Sequence, residues 1–152
     1  MTQHSERRSL TLGWFVEHPR FTVHPWPDGA IECASYDARH SYVEHFWLPV
    51  LGPSAVLALR RFADWFDNRP AGVEVDLVEF GSSLGIGTGT GRHTQVNRTL
   101  GRLVDFRLAR ISSEHLDVRT TLPPVPHQLR RRLPLGLLDA LAEHDRRCAS
   151  SA

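Results

Sequence analysis

No helix or core strand can run through residues 85–91, where Gly85, Gly87, Gly89 and Gly91 alternate with Ile86, Thr88 and Thr90. Each glycine in a regular element costs roughly 0.5–1 kcal/mol relative to alanine, so the run divides the chain into stretches with separate periodicities. After it, Val96, Leu100, Leu103 and Val104 recur at helical spacing and predict a helix over residues 92–106. Thr94, Arg98, Gly101, Arg102 and Asp105 fall on its opposite face, with Gln95 at the flank.

Before the run, Pro53 supplies a first helical position, and Val56, Leu59, Phe62, Ala63 and Phe66 form one apolar stripe. Pro70 ends that helix and residues 72–75 predict a short strand. Asp76 followed by Glu79 has the spacing of a capping box, which starts a helix through Leu84. After residue 106, residues 107–111 and 116–120 read as short strands joined by a polar turn, a hairpin. Leu137, Leu138 and Leu141 mark the inward face of a last helix near residues 134–147.

The first ten residues have few apolar anchors and read as loose. Residues 10–35 read as β-like, with Phe21 to Val23 and Ala30 to Cys33 flanking a turn at Pro27, Asp28 and Gly29 that predicts a hairpin. Residues 36–48 carry Tyr42, Val43, Phe46 and Trp47 at helical spacing and are ambiguous. If Phe46 and Trp47 are exposed beside the hairpin, a homodimer contact is the first use for that face.

Charge is unevenly placed. Every one of the 18 basic residues is arginine. Residues 1–91 carry 7 arginines against 11 acids, residues 92–132 carry 9 against 3, and the last twenty carry 2 against 3, for the total of +1. A basic segment inside a near-neutral chain implies a directed anionic partner, nucleic acid first. No apolar stretch reaches the ~18 residues of a membrane span, and no export signal is visible at the start. Cys33 and Cys148 are therefore expected to be reduced thiols in a cytosol.

Residues 100–110, with Leu100, Leu103 and Leu108 among Gly101, Arg102, Arg107 and Arg110, resemble the stretch in bacterial winged-helix regulators where the recognition helix ends and enters the wing. The resemblance covers about half the chain, roughly residues 53–126. It implies an α+β fold: a winged helix-turn-helix (three-helix core plus two-stranded wing), with an N-terminal β-hairpin extension over residues 1–48 and a C-terminal helix over 127–152. Two departures are plain: Phe106 and Arg107 stand where the family often has glycine, and the glycine turn exceeds the usual 3–4 residues. The function implied is sequence-specific binding of double-stranded DNA by a cytoplasmic, nucleoid-associated transcriptional regulator. The helix 92–106 enters the major groove with Arg92, His93, Thr94, Gln95 and Arg98 at base edges. Arg102 takes phosphate, and the wing 107–120 offers Arg110, Arg119 and His115 to the backbone or minor groove. The alternative is a winged-helix adaptor that binds protein and not DNA.

Other chemistries find less support. The glycine run before a helix invites comparison with a dinucleotide loop, but it has no following lysine, and Asp105 falls 14 residues beyond Gly91 where such a site wants an acid ~20 residues on. The nine histidines include no H-x-x-x-H pair, so no metal is assigned. Nucleophile signatures are absent, and neither an enzyme nor a cofactor is expected.

Overall fold

The computed structural model describes residues 2–26 and 35–151. Among them the chain is α+β, with seven α-helices and a small mixed sheet. The start is neither loose nor, over residues 10–17, β-like. It forms α1 (Thr2–Glu17), of which Thr11, Leu12 and Phe15 are buried. Three anchors suffice because tertiary packing, not propensity, holds most helices. Trp14 meets Phe15 and Phe21 edge-on at 5.5 and 5.3 Å, and the His18 ring stacks on Trp14 at 4.3 Å.

β1 (Arg20–Pro25) alternates as a half-buried strand should, with Phe21 and Val23 inward and Arg20, Thr22 and His24 outward. The return strand expected at residues 30–33, with Cys33, lies outside the described residues. β2 (Tyr36–Asp37) leads to a π-helical turn, Val43–Trp47, that runs into α2 (Leu48–Leu51). Phe46 and Trp47 are 7% and 3% exposed, so the face expected to serve a homodimer is inside the monomer. Trp47 Nε1 donates to the Pro123 carbonyl at 2.8 Å, and Tyr42 Oη accepts from Val125 N at 2.9 Å.

α3 (Pro53–Asn68) begins at Pro53 as expected and buries Val56, Leu59, Phe62 and Phe66. β3 (Val73–Asp76) follows, and Asp76 caps α4 (Leu77–Ser83) by accepting from Glu79 N at 3.1 Å. α5 (Gln95–Asp105) starts three residues later than expected, capped by the Thr94 side chain, and buries Val96, Leu100 and Leu103. β4 (Ala109–Ser112) and β5 (His115–Val118) form the hairpin, turning at Ser113 and Glu114. β6 (Thr121–Leu122) pairs with β2. α6 (His127–Arg130) and α7 (Leu135–Ser150) complete the chain, with Leu141 buried and Leu137 and Leu138 half-buried.

The sheet order is β3-β1-β5-β4, with β1 antiparallel to β3 and parallel to β5. β1 is thus an interior strand. Its inward residues join α3 and α5 in one core that includes Phe15, Phe62, Leu100, Leu103 and Leu116. The N-terminal region therefore shares the core of residues 49–126.

The end of α5 carries local strain. Leu108 N bonds the Leu103 carbonyl at 2.9 Å and Arg107 N the Val104 carbonyl at 3.0 Å, a Schellman cap with Arg107 in its left-handed position at φ +59°. This is where the winged-helix resemblance has glycine. Farther off, Arg39 donates to Asp37 at 2.8 Å and Asp64 at 2.9 Å, joining β2 to α3. The Arg39 guanidinium holds the Asp37 carboxyl below its ordinary range.

Three outcomes follow. A chain cut to residues 49–126 loses β1 and is expected to be unfolded by far-ultraviolet circular dichroism and amide dispersion, whereas two exposed edges without β1 would still fold if the core were independent. Arg107→Gly is expected to raise stability by about 1 kcal/mol in urea unfolding, since a Cβ at left-handed φ costs about that much. Asp37, with its folded pKa lowered, contributes stability that is present above the unfolded value of about 3.9 and lost as pH falls below it. Arg39→Ala should therefore destabilise the protein at pH 7 and make little difference near pH 2.

Candidate nucleic-acid interface

The start of α5 is built by three neighbours. Asn97, 4% exposed, donates from Nδ2 to the Gly91 carbonyl at 2.8 Å and so ties the glycine run to the helix. Gly81 of α4 lies against Val96, where an added Cβ would sit 3.1 Å from the valine Cβ. On the other side Ser54 and Thr99 share a hydrogen bond of 3.0 Å between α3 and α5. These contacts leave Gln95, Arg98 and Arg102 as the exposed stripe of α5.

The stripe is narrower than expected because α1 packs along one side. Gly101, placed by periodicity on the open face, is buried, and a Cβ there would lie 3.5 Å from Leu12 Cδ2. Arg8 of α1 reaches Asp105 at 4.0 Å, and Arg92 Nη2 donates to the Ser9 carbonyl and contacts its hydroxyl. Between the helices is a cavity of about 360 Å³ lined by Ser5, Arg8, Ser9, Leu12, Arg92, His93 and Arg98. None of those residues is acidic.

Each predicted site residue can be placed. Arg92 and His93 lie in the turn before α5 and face the groove, not the helix stripe. The Thr94 hydroxyl accepts from Asn97 N at 3.3 Å and is committed to capping. Gln95 is exposed on the first turn, and Arg98 is exposed at the groove wall; among the described residues neither makes a side-chain hydrogen bond or ion pair. Arg102 donates from Nη1 to the Leu51 carbonyl at 2.9 Å, passing over Gly52, where a Cβ would meet that nitrogen at 3.0 Å. Its guanidinium closes the end of α2, a use that spacing alone did not suggest.

The two wing arginines form a second cluster on the outer face of the sheet. Arg110 and Arg119 lie over the Trp26 ring, their guanidinium carbons 4.4 and 3.9 Å from its centroid. Arg110 Nε donates to Asp117 Oδ2 at 2.8 Å across the β4–β5 ladder, and Arg119 Nε donates to the Arg107 carbonyl at 3.1 Å. Beside them His24 and His115 stack at 4.4 Å, and His115 Nε2 is 3.2 Å from Asp117 Oδ1. Of the predicted residues, Arg92, His93 and Arg98 thus line a basic groove at the start of α5, Arg110, Arg119 and His115 lie in the layer on the sheet, and Thr94, Gln95 and Arg102 belong to neither.

Sequence reasoning missed Arg8 and Ser9, because the first ten residues read as loose. It also missed that His24 meets the wing residue His115 and its neighbour Asp117, which lie 91 and 93 residues later on β5. The β-like pattern at Phe21 and Val23 was the one signal that could have brought them together, had its partner been known. Among the described residues no helix is long and apolar enough to cross a membrane. Comparison of the chain with protein-family models, with curated proteins and with solved structures finds no match.

Proposed function

We propose that residues 53–118 form a winged helix and that the chain binds double-stranded DNA as a regulator, with α5 as its reading helix. The element order supports the fold: α3, β3, α4, α5 and the β4–β5 hairpin follow one another as in that architecture. The observation that carries the function is the groove at the start of α5, where Arg8, Arg92, His93 and Arg98 converge with no acid in its lining. A helix N-terminus adds its own unpaired amides and positive dipole end to such a groove. Phosphate suits the groove, and the adjacent exposed Gln95 and Arg98 have the amide and guanidinium groups that read adenine and guanine edges.

The roles differ from those implied by the resemblance. Arg8 and Arg92 act as backbone contacts, Gln95 and Arg98 as base contacts, while Arg102, Arg110 and Arg119 hold the scaffold through Leu51, Trp26, Asp117 and Arg107. β1 pairs with β5 in the plane of the sheet, between the wing and β3, and the Ser113–Glu114 turn forms the tip of the β4–β5 hairpin.

Duplexes selected from a random library should bind with a steep negative dependence on salt. Arg98→Ala should weaken the selected site by roughly 1–3 kcal/mol while changing random duplex little. Arg8→Ala should weaken both alike and lower the salt slope by about one. Equal losses for Arg98→Ala on every sequence would remove its reading role. Absence of binding even at low salt would overturn the DNA reading and favour a protein-binding adaptor built on the same helices.

A further inference from the structure

Two imidazoles and a carboxylate meet on the outer face of the sheet, held there by the parallel register of β1 and β5. That register sets His24 beside Asp117 and Thr22 beside His115, so all three candidate ligands share one face. Their donor atoms lie within 4.8 Å of one another. The separation of His115 Nε2 from Asp117 Oδ1 is 3.2 Å. Two metal bonds of ~2.05 Å at the tetrahedral angle span ~3.3 Å, so this pair is already spaced as two ligands of one ion. The His24 ring lies over His115 at 4.4 Å with 25° between planes. One of its nitrogens already lies within 4.8 Å of the other two donor atoms, and χ2 is a broad torsion in histidine.

The surroundings suit a ligand set. Asp117 is 4% exposed, and Arg110 Nε holds its Oδ2 at 2.8 Å, leaving Oδ1 directed at His115. A hydrogen bond on the far oxygen is the outer contact that orients a ligating carboxylate. Gly72, at φ +120°, makes room for the His24 ring; a Cβ there would lie 2.5 Å from His24 Cδ2.

We infer that His24, His115 and Asp117 form a binding site for one divalent transition-metal ion, with Zn²⁺ the best match to two nitrogens and one oxygen. The fourth position falls to water or an exogenous ligand. When His115 Nε2 becomes a ligand, the proton of the neutral ring resides on Nδ1. The ion joins β1 to β5 directly and so couples the N-terminal strand to the hairpin. This inference needs only the fold and is independent of DNA binding.

The test uses the full chain, stripped with a chelator and titrated with Zn²⁺ by calorimetry and with Co²⁺ by visible absorption. One equivalent per chain at micromolar or tighter affinity is expected, with the intense d–d bands of four-coordinate Co²⁺ and perturbed His24 and His115 ring resonances in nitrogen-15 spectra. His24→Gln and His115→Gln should each weaken binding at least tenfold while retaining the wild-type circular dichroism. Both variants leave Asp117 and its bond to Arg110 in place, so a failure to fold is separated from a loss of the site. His45→Gln, on the π-helical turn and not among the three ligands, should bind as wild type. Binding unchanged in both cluster variants, or no binding by the folded wild type, would overturn the assignment.

Discussion

The backbone of β1 is paired on both edges, antiparallel to β3 and parallel to β5, and the remainder of the structure is arranged around that double ladder. A paired interior strand needs both faces accounted for. Phe21 and Val23 fill the core beneath α3 and α5, and Thr22 and His24 stand on the outer face with His115 and Asp117. Removing the strand would expose unpaired amides and carbonyls on β3 and β5 together, each a donor or acceptor that must find another partner. The ladder also brings α1 to its place. The short link through His18 and Pro19 lays the helix across α5, where Gly101 leaves space for Leu12.

Arginine does most of the polar work in this chain because it contains no lysine. A guanidinium has five donors in a planar fork and can satisfy a carbonyl, a carboxylate and an aromatic face at once. Arg102 is spent on the Leu51 carbonyl, Arg110 on Asp117 and Trp26, and Arg39 on three aspartates. The high positive charge of residues 92–132 is therefore partly internal scaffolding. What remains directed outward at the start of α5 is a smaller set, to which α1 adds Arg8.

The helices were legible because their causes are local. Pro53 and the α3 stripe, the Asp76 cap, and the spacing of Val96, Leu100 and Leu103 each act within a few residues, and the structure follows them. The hairpin of β4 and β5 was legible for the same reason. α1 was not, because it has only three buried residues and is held by α5 and Phe21, partners that no local pattern reveals. The site divides along the same line. The exposure of Gln95 and Arg98 came from helical phase, whereas the covering of Gly101 and the meeting of His24 with Asp117 arise from contacts distant in sequence. Arg107 stands between these cases: its departure from glycine was visible as a letter, and its left-handed backbone shows what that letter costs.

The parallel pairing of β1 with β5 also sets an order of assembly. His24 and Asp117 are 93 positions apart, and no antiparallel turn can bring them together early. During synthesis α1 and β1 emerge before their partners in α5 and β5, which lie some 70–90 residues later. Until those partners are made Phe15, Phe21 and Val23 lack part of their packing, and closure of so long a loop makes the docking of α1 and β1 a slow event. The same strand that centres the finished sheet is thus the segment most available to chaperones, or to other nascent chains, before folding is complete.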